Sequence, residues 1–130
     1  MEMTASSYEP GAHGVRLTFT LHYWMQCGYP GAGPLVVTFP KGMRLPDQLA
    51  SGAVRLAGKP VASEVHGRQV TVTVAPHTGV LCDLMSRGSL KLAFTRLAKL
   101  SNPTRAGSYR FAAKHRRLAL TAKLVIKPAS

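Results

Sequence analysis

At 130 residues the chain has room for one domain of ordinary size and little beyond it. Apolar residues at 45% against 17% charged exclude an intrinsically disordered segment, because that much apolar surface can offset the entropy of ordering the chain. Lys plus Arg number 17 against 5 Asp plus Glu, a formal charge of +12 that favours polyanionic partners and leaves acid–base chemistry short of carboxylates.

Residues 1–12 read as a flexible N-terminal segment and 13–128 as a single domain. The opening Met1-Glu-Met-Thr-Ala-Ser-Ser-Tyr-Glu-Pro10 has no basic leader followed by an apolar stretch. The chain is therefore expected either to be cytoplasmic or, where a signal has been removed, to be extracellular or at the cell surface. No apolar run reaches the roughly 20 residues of a membrane-spanning helix, since Leu118–Ile126 is broken by Thr121 and Lys123.

Period-two alternation is the dominant signal. Val15, Leu17, Phe19, Leu21 and Tyr23 alternate with Arg16, Thr18, Thr20 and His22, which puts the apolar set on one face of a strand. After the Gly- and Pro-rich break at 28–34, Leu35–Phe39 reads as a more continuously apolar, central strand stopped by Pro40. Pro46 and Gly52 then bracket an expected short helical turn near 46–50. Short strands follow at 53–57 and 61–66, and the turn Gly67-Arg68 leads into Gln69–Val74, with Val70, Val72 and Val74 facing in.

Residues 77–88 are the least regular stretch. Leu90, Leu92 and Phe94 then alternate as a strand, although Leu90, Phe94, Leu97 and Leu100 also fit a helical stripe. A loop at 100–108 precedes alternation of Tyr109, Phe111 and Ala113, and Leu118, Leu120, Ala122, Leu124 and Ile126 form the last inward set. About seven or eight strands with turn signals every 8–12 residues predict an all-β sandwich or barrel.

Several of these signals fall in a familiar order. Phe39-Pro40, Gly42, Leu45-Pro46, Val54 to Gly58, Val70-Thr-Val-Thr73, Asn102-Pro103 and Ala106-Gly-Ser-Tyr109 resemble a family of bacterial secreted and cell-surface immunoglobulin-like β-sandwich modules, of surface-layer and adhesin-like proteins. The resemblance spans roughly Val15 to Ile126. It implies an immunoglobulin-like antiparallel sandwich, a non-catalytic structural, domain-spacing or adhesion role, and no cofactor. The partners it implies are other domains of a surface protein or a cell-surface polymer. The strongly basic balance sets this chain apart from such modules.

Chemistry-bearing residues are sparse. The carboxylates are Glu2, Glu9, Asp47, Glu64 and Asp83, and no Gly-x-Ser-x-Gly turn frames a serine, so Ser86, His77 and Asp83 read as a polar loop and no catalytic residues are assigned. His13, His22, His66, His77 and His115 fall on different elements without ligand spacing, so no metal site is assigned. Cys27 and Cys82 lack a paired CxxC spacing. Bonded, they would close a loop worth about 4 kcal/mol in an oxidising compartment. Unbonded, they would act as two small hydrophobes.

The remaining signal is charge in the C-terminal third. Arg110, Lys114, Arg116, Arg117, Lys123 and Lys127 are the candidate polyanion patch, and a basic nucleic-acid- or polyanion-binding domain is the alternative function. Phosphate contacts alone would give weak, salt-dependent binding, because the region supplies few exposed aromatic rings for stacking on bases. Charge that merely solubilises the sandwich surface and guards its edges is the plainer reading.

Overall fold

A computed structural model of the chain describes residues 1–26, 32–75 and 85–128. In chain order its strands are β1 (Glu2–Ala5), β2 (His13–Val15), β3 (Leu17–Gln26), β4 (Gly33–Thr38), β5 (Val54–Leu56) and β6 (Lys59–Pro60), then β7 (Ser63–His66), β8 (Gln69–Val74), β9 (Met85–Phe94), β10 (Leu100–Ser101), β11 (Gly107–His115) and β12 (Leu118–Ile126). Every pairing is antiparallel. One five-stranded sheet runs β1-β3-β9-β5-β6, a second runs β12-β11-β4-β8-β7, and β10-β2 makes a small pair beside them. The expected all-β sandwich is the fold of the chain, and β4 is central to its sheet.

Alternation decides which side chains enter the interior, because successive strand residues point to opposite faces. Val15, Leu17, Phe19 and Leu21 are buried from the first sheet and its lead-in, as are Val70, Val72 and Val74 from β8. Leu124 and Ile126 close the second sheet's inner face. All belong to one core cluster.

The four phenylalanines of the chain sit at its centre as a closed ring of contacts. Phe19 on β3 meets Phe94 on β9 at 5.9 Å and Phe111 on β11 at 5.2 Å, while Phe39 meets Phe94 at 5.3 Å and Phe111 at 5.1 Å. Interplanar angles from 68° to 89° at three of these contacts are the edge-to-face geometry favoured by the ring quadrupole, and the Phe19–Phe111 pair is tilted at 60°. Phe39 lies just past β4, and its amide donates to the Arg68 carbonyl at 2.8 Å, so the β7–β8 turn fixes the backbone that aims this ring inward.

Three local expectations change. The helical turn near 46–50 is absent: Arg44 instead bridges Ser101, with Arg44 N donating to Ser101 O at 3.1 Å and Ser101 N returning to Arg44 O at 3.3 Å. Pro46 biases Leu45 toward extended backbone, and the bridge holds the chain that way. The described helical element is a 3-10 turn at Arg96–Ala98, where Leu97 points to solvent at 54% exposure, so the helical stripe through Leu97 does not form. Finally, the strand segments outnumber the seven or eight expected, because pieces such as β1, β6 and β10 are two to four residues long and owe their pairing to neighbours.

The first twelve residues, expected to be a flexible lead, carry β1 in register with β3 from Glu2↔Thr20 to Ala5↔Leu17. Ser6 N donates to Arg16 O at 2.9 Å, and Gly11 N donates to Pro103 O at 2.9 Å. Gly42 has φ +97°, a left-handed backbone conformation that calls for glycine, while a Cβ there would meet Pro103 and Tyr109 at 3.5 Å, an ordinary contact.

Candidate functional site

The six basic residues singled out from the sequence are all exposed, and the register shows which of them meet. Along β11, residues 108, 110, 112 and 114 face outward, and along β12 so do 119, 121, 123 and 125. Arg110 and Lys123 are direct cross-strand partners on that outer face. Lys114 stands on the same face, opposite Ala119 on one side and Val36 of β4 on the other. Four residues of extended chain separate it from Arg110 by about 13 Å.

The other three lie at the ends of this strip. Arg116 and Arg117 form the β11–β12 turn, where Arg116 has φ +57° and its Nη1 donates to the Ala32 carbonyl at 3.0 Å. Lys127 follows β12 at the opposite end, where its amide donates to Tyr8 O at 2.9 Å. The set is thus a strip along the β11–β12 hairpin rather than one cluster.

Carboxylates leave this strip uncompensated. Among the described residues the two carboxylate–base contacts are His22–Glu2 and His66–Glu64, each at 3.6 Å and solvent-exposed. Neither involves a Lys or Arg. Glu64 shares the outer face of the second sheet but stands on β7, in line with Lys114 through Val36 and Thr71.

A second group of polar residues, exposed at His13 and buried at Ser101 and Asn102, lies in the corner where the N-terminal segment meets β10. His13 Nδ1 and Ser101 Oγ are 2.8 Å apart. Asn102, 2% exposed, donates through Nδ2 to Ser7 O at 2.9 Å and Glu9 O at 3.0 Å, and through its amide to Ala12 O at 2.8 Å. The Asn102 bonds join segments ninety or more residues apart in sequence and fasten residues 7–12 to the body. The Asn-Pro pair signals a turn locally, but nothing near it in sequence marks the Asn as this fastener.

Tyr109, expected in the core, is only half-buried, and its hydroxyl donates to Arg105 O at 2.8 Å. Gly107, at φ +148°, sets the backbone just before it. Elsewhere a surface depression is lined by Thr4, Ala5, Ser6, Arg16 and Thr18. Among the described residues no group of three or more His, Cys, Asp or Glu is gathered as metal ligands. Cys27, Cys82, His77 and Asp83 lie outside the described residues, so the Cys27–Cys82 pairing is not addressed by the structure. No described helix is long and apolar enough to cross a membrane.

No family model matches this chain, and no curated protein sequence matches it. A solved structure does. The chain is similar to the crystal structure of BslA, a bacterial hydrophobin, with a TM-score of 0.59 at 18% identity, over 98% of each chain. At that identity the likeness extends to the fold, so this chain shares its β-sandwich architecture with a bacterial hydrophobin along essentially its whole length.

Proposed function

We propose that the chain is a non-catalytic structural module of a bacterial surface, acting outside the cell as a coat or matrix component. The observation that carries this reading is the full-length match in fold to a protein described as a bacterial hydrophobin. A well-filled core supports it: four interlocked phenylalanines join the two sheets, the packing of a scaffold.

The immunoglobulin-like version of the fold has its own support. Strands β1, β3, β9 and β5 occupy the order of the four-stranded immunoglobulin sheet, and β12, β11 and β4 that of its partner. At the head of β11 the Tyr109 hydroxyl returns to the carbonyl of Arg105, the arrangement of a tyrosine corner. The topology departs in one respect: the chain visits β5 before adding β7 and β8 beside β4.

The sequence is also apolar around two of its segments. Trp24, Met25, Tyr29, Val80, Leu81 and Leu84 fall in or beside the segments 27–31 and 76–84. The test is surface pressure at an air–water interface. The purified chain should form a film that raises the pressure well above that given by a basic globular protein of similar mass. Equal pressures for the two proteins would overturn the reading.

A further inference from the structure

The outer face of the β12-β11-β4 half of the second sheet combines three features that a merely solubilising surface does not need. First, Arg110 and Lys123 are placed directly opposite one another, and like charges in that position destabilise a sheet. Second, among the described residues no carboxylate contacts either of them or Lys114. Third, the ground between the charges is flat and small. The row after Arg110–Lys123 is Ala112 with Thr121 and Thr38, and the next is Lys114 with Ala119 and Val36.

We propose that this face binds an acidic polysaccharide, a linear chain bearing carboxylates, with Arg110, Lys123 and Lys114 contacting successive anionic groups across the Ala112–Thr121–Thr38 floor. Charge complementarity selects a polyanion, since the anion would sit where Arg110 and Lys123 repel each other and relieve that repulsion. Arg110 offers a planar fork that suits a carboxylate, and Lys123 and Lys114 add point charges. The face favours a sugar over a nucleic acid because its described outward residues include no aromatic ring on which bases could stack, whereas the Thr38 and Thr121 hydroxyls can bond sugar hydroxyls. Glu64 stands on the same face but about 14 Å from Lys114 across three strand spacings, and its contact is His66.

The surface-coat reading and this one separate experimentally, because the sheet's charge carries the second without any contribution from film formation. The test is calorimetric titration of the full chain with polygalacturonate, duplex DNA of equal charge and neutral dextran, at about 50 and 200 mM salt. Polygalacturonate should bind at the lower salt more tightly than DNA, and dextran should not bind. The double variant Arg110→Thr/Lys123→Thr should weaken that binding by about tenfold or more and flatten the salt slope, at about one unit or less per lost contact. Threonine keeps β propensity at both positions, and circular dichroism checks the fold. Lys114→Thr alone should weaken binding in the same direction if the double variant is poorly folded. The control Lys59→Thr/Lys91→Thr removes equal charge from the other sheet and should change affinity by less than about twofold. Equal loss in that control, tighter binding to DNA than to polygalacturonate, or no binding at the lower salt would each overturn the proposal.

Discussion

The two five-stranded sheets are alike on their inner faces and different on their outer ones. Inside, each contributes alternating aliphatics and two of the four core rings, with Phe19 and Phe94 from the first meeting Phe111 and Phe39 from the second. Outside, the first sheet mixes Thr18, Thr20, His22 and Lys91 with Glu2, which contacts His22. The second gathers Arg110, Lys123 and Lys114 on one hairpin and keeps its carboxylate, Glu64, on β7. Burial constrains both inner faces to the same chemistry, whereas solvent leaves the outer faces free to differ, so any individuality in binding belongs there.

Six substitutions test this division. The largest effect is expected from Phe111→Ala, which removes a ring touching Phe19 and Phe39 and should cost about 3–5 kcal/mol in urea unfolding. Phe94→Ala, its counterpart on the first sheet, should cost a similar amount, and a much smaller loss there would show that the two inner faces are not equivalent. Next, Asn102→Ala leaves the Ser7 and Glu9 carbonyls without their side-chain donor and should cost about 2–3 kcal/mol. Amide hydrogen exchange should then quicken in β1 before it does in β11.

Neighbours on β8 sharpen the contrast between faces. Val72→Thr places a hydroxyl in the core and should cost about 1–3 kcal/mol, whereas Thr71→Val on the opposite face should stay within about 0.5 kcal/mol. Equal costs would mean that β8 is not one-sided. The smallest effect is that of Arg110→Thr, which relieves repulsion with Lys123 and should stabilise by a few tenths of a kcal/mol at low salt. The gain should vanish near 1 M salt, where the screening length falls to about 3 Å.

Much of this was legible before any coordinates. Val15, Leu17, Phe19 and Leu21, and Val70, Val72 and Val74, are buried as the alternation predicts, because a strand with one wet face must place every second side chain inside. The exposed positions of Arg110, Lys114 and Lys123 follow from the same rule. Their mutual arrangement does not. That Arg110 faces Lys123 while Lys127 lies at the far end of the hairpin depends on register, which the β11–β12 turn fixes. The N-terminal strand was illegible, since Glu2–Ala5 carries no strong periodic signal and takes its order from β3. Asn102 was illegible as a fastener, because the acceptors of its side chain are more than ninety residues away.

The sequence by itself determined the fold class, most of the inward set of the long strands and the basic balance of the surface, since each follows from side-chain polarity and a repeat of two. Only the tertiary structure decided the strand order, the closing of four scattered phenylalanines into one ring, the anchoring of the first twelve residues and the pairing of like charges on one outer face. Apart from the last, which one hairpin turn sets, those are relations between residues distant in the chain. They come from the single packing that satisfies all the local patterns at once, which no window of sequence contains.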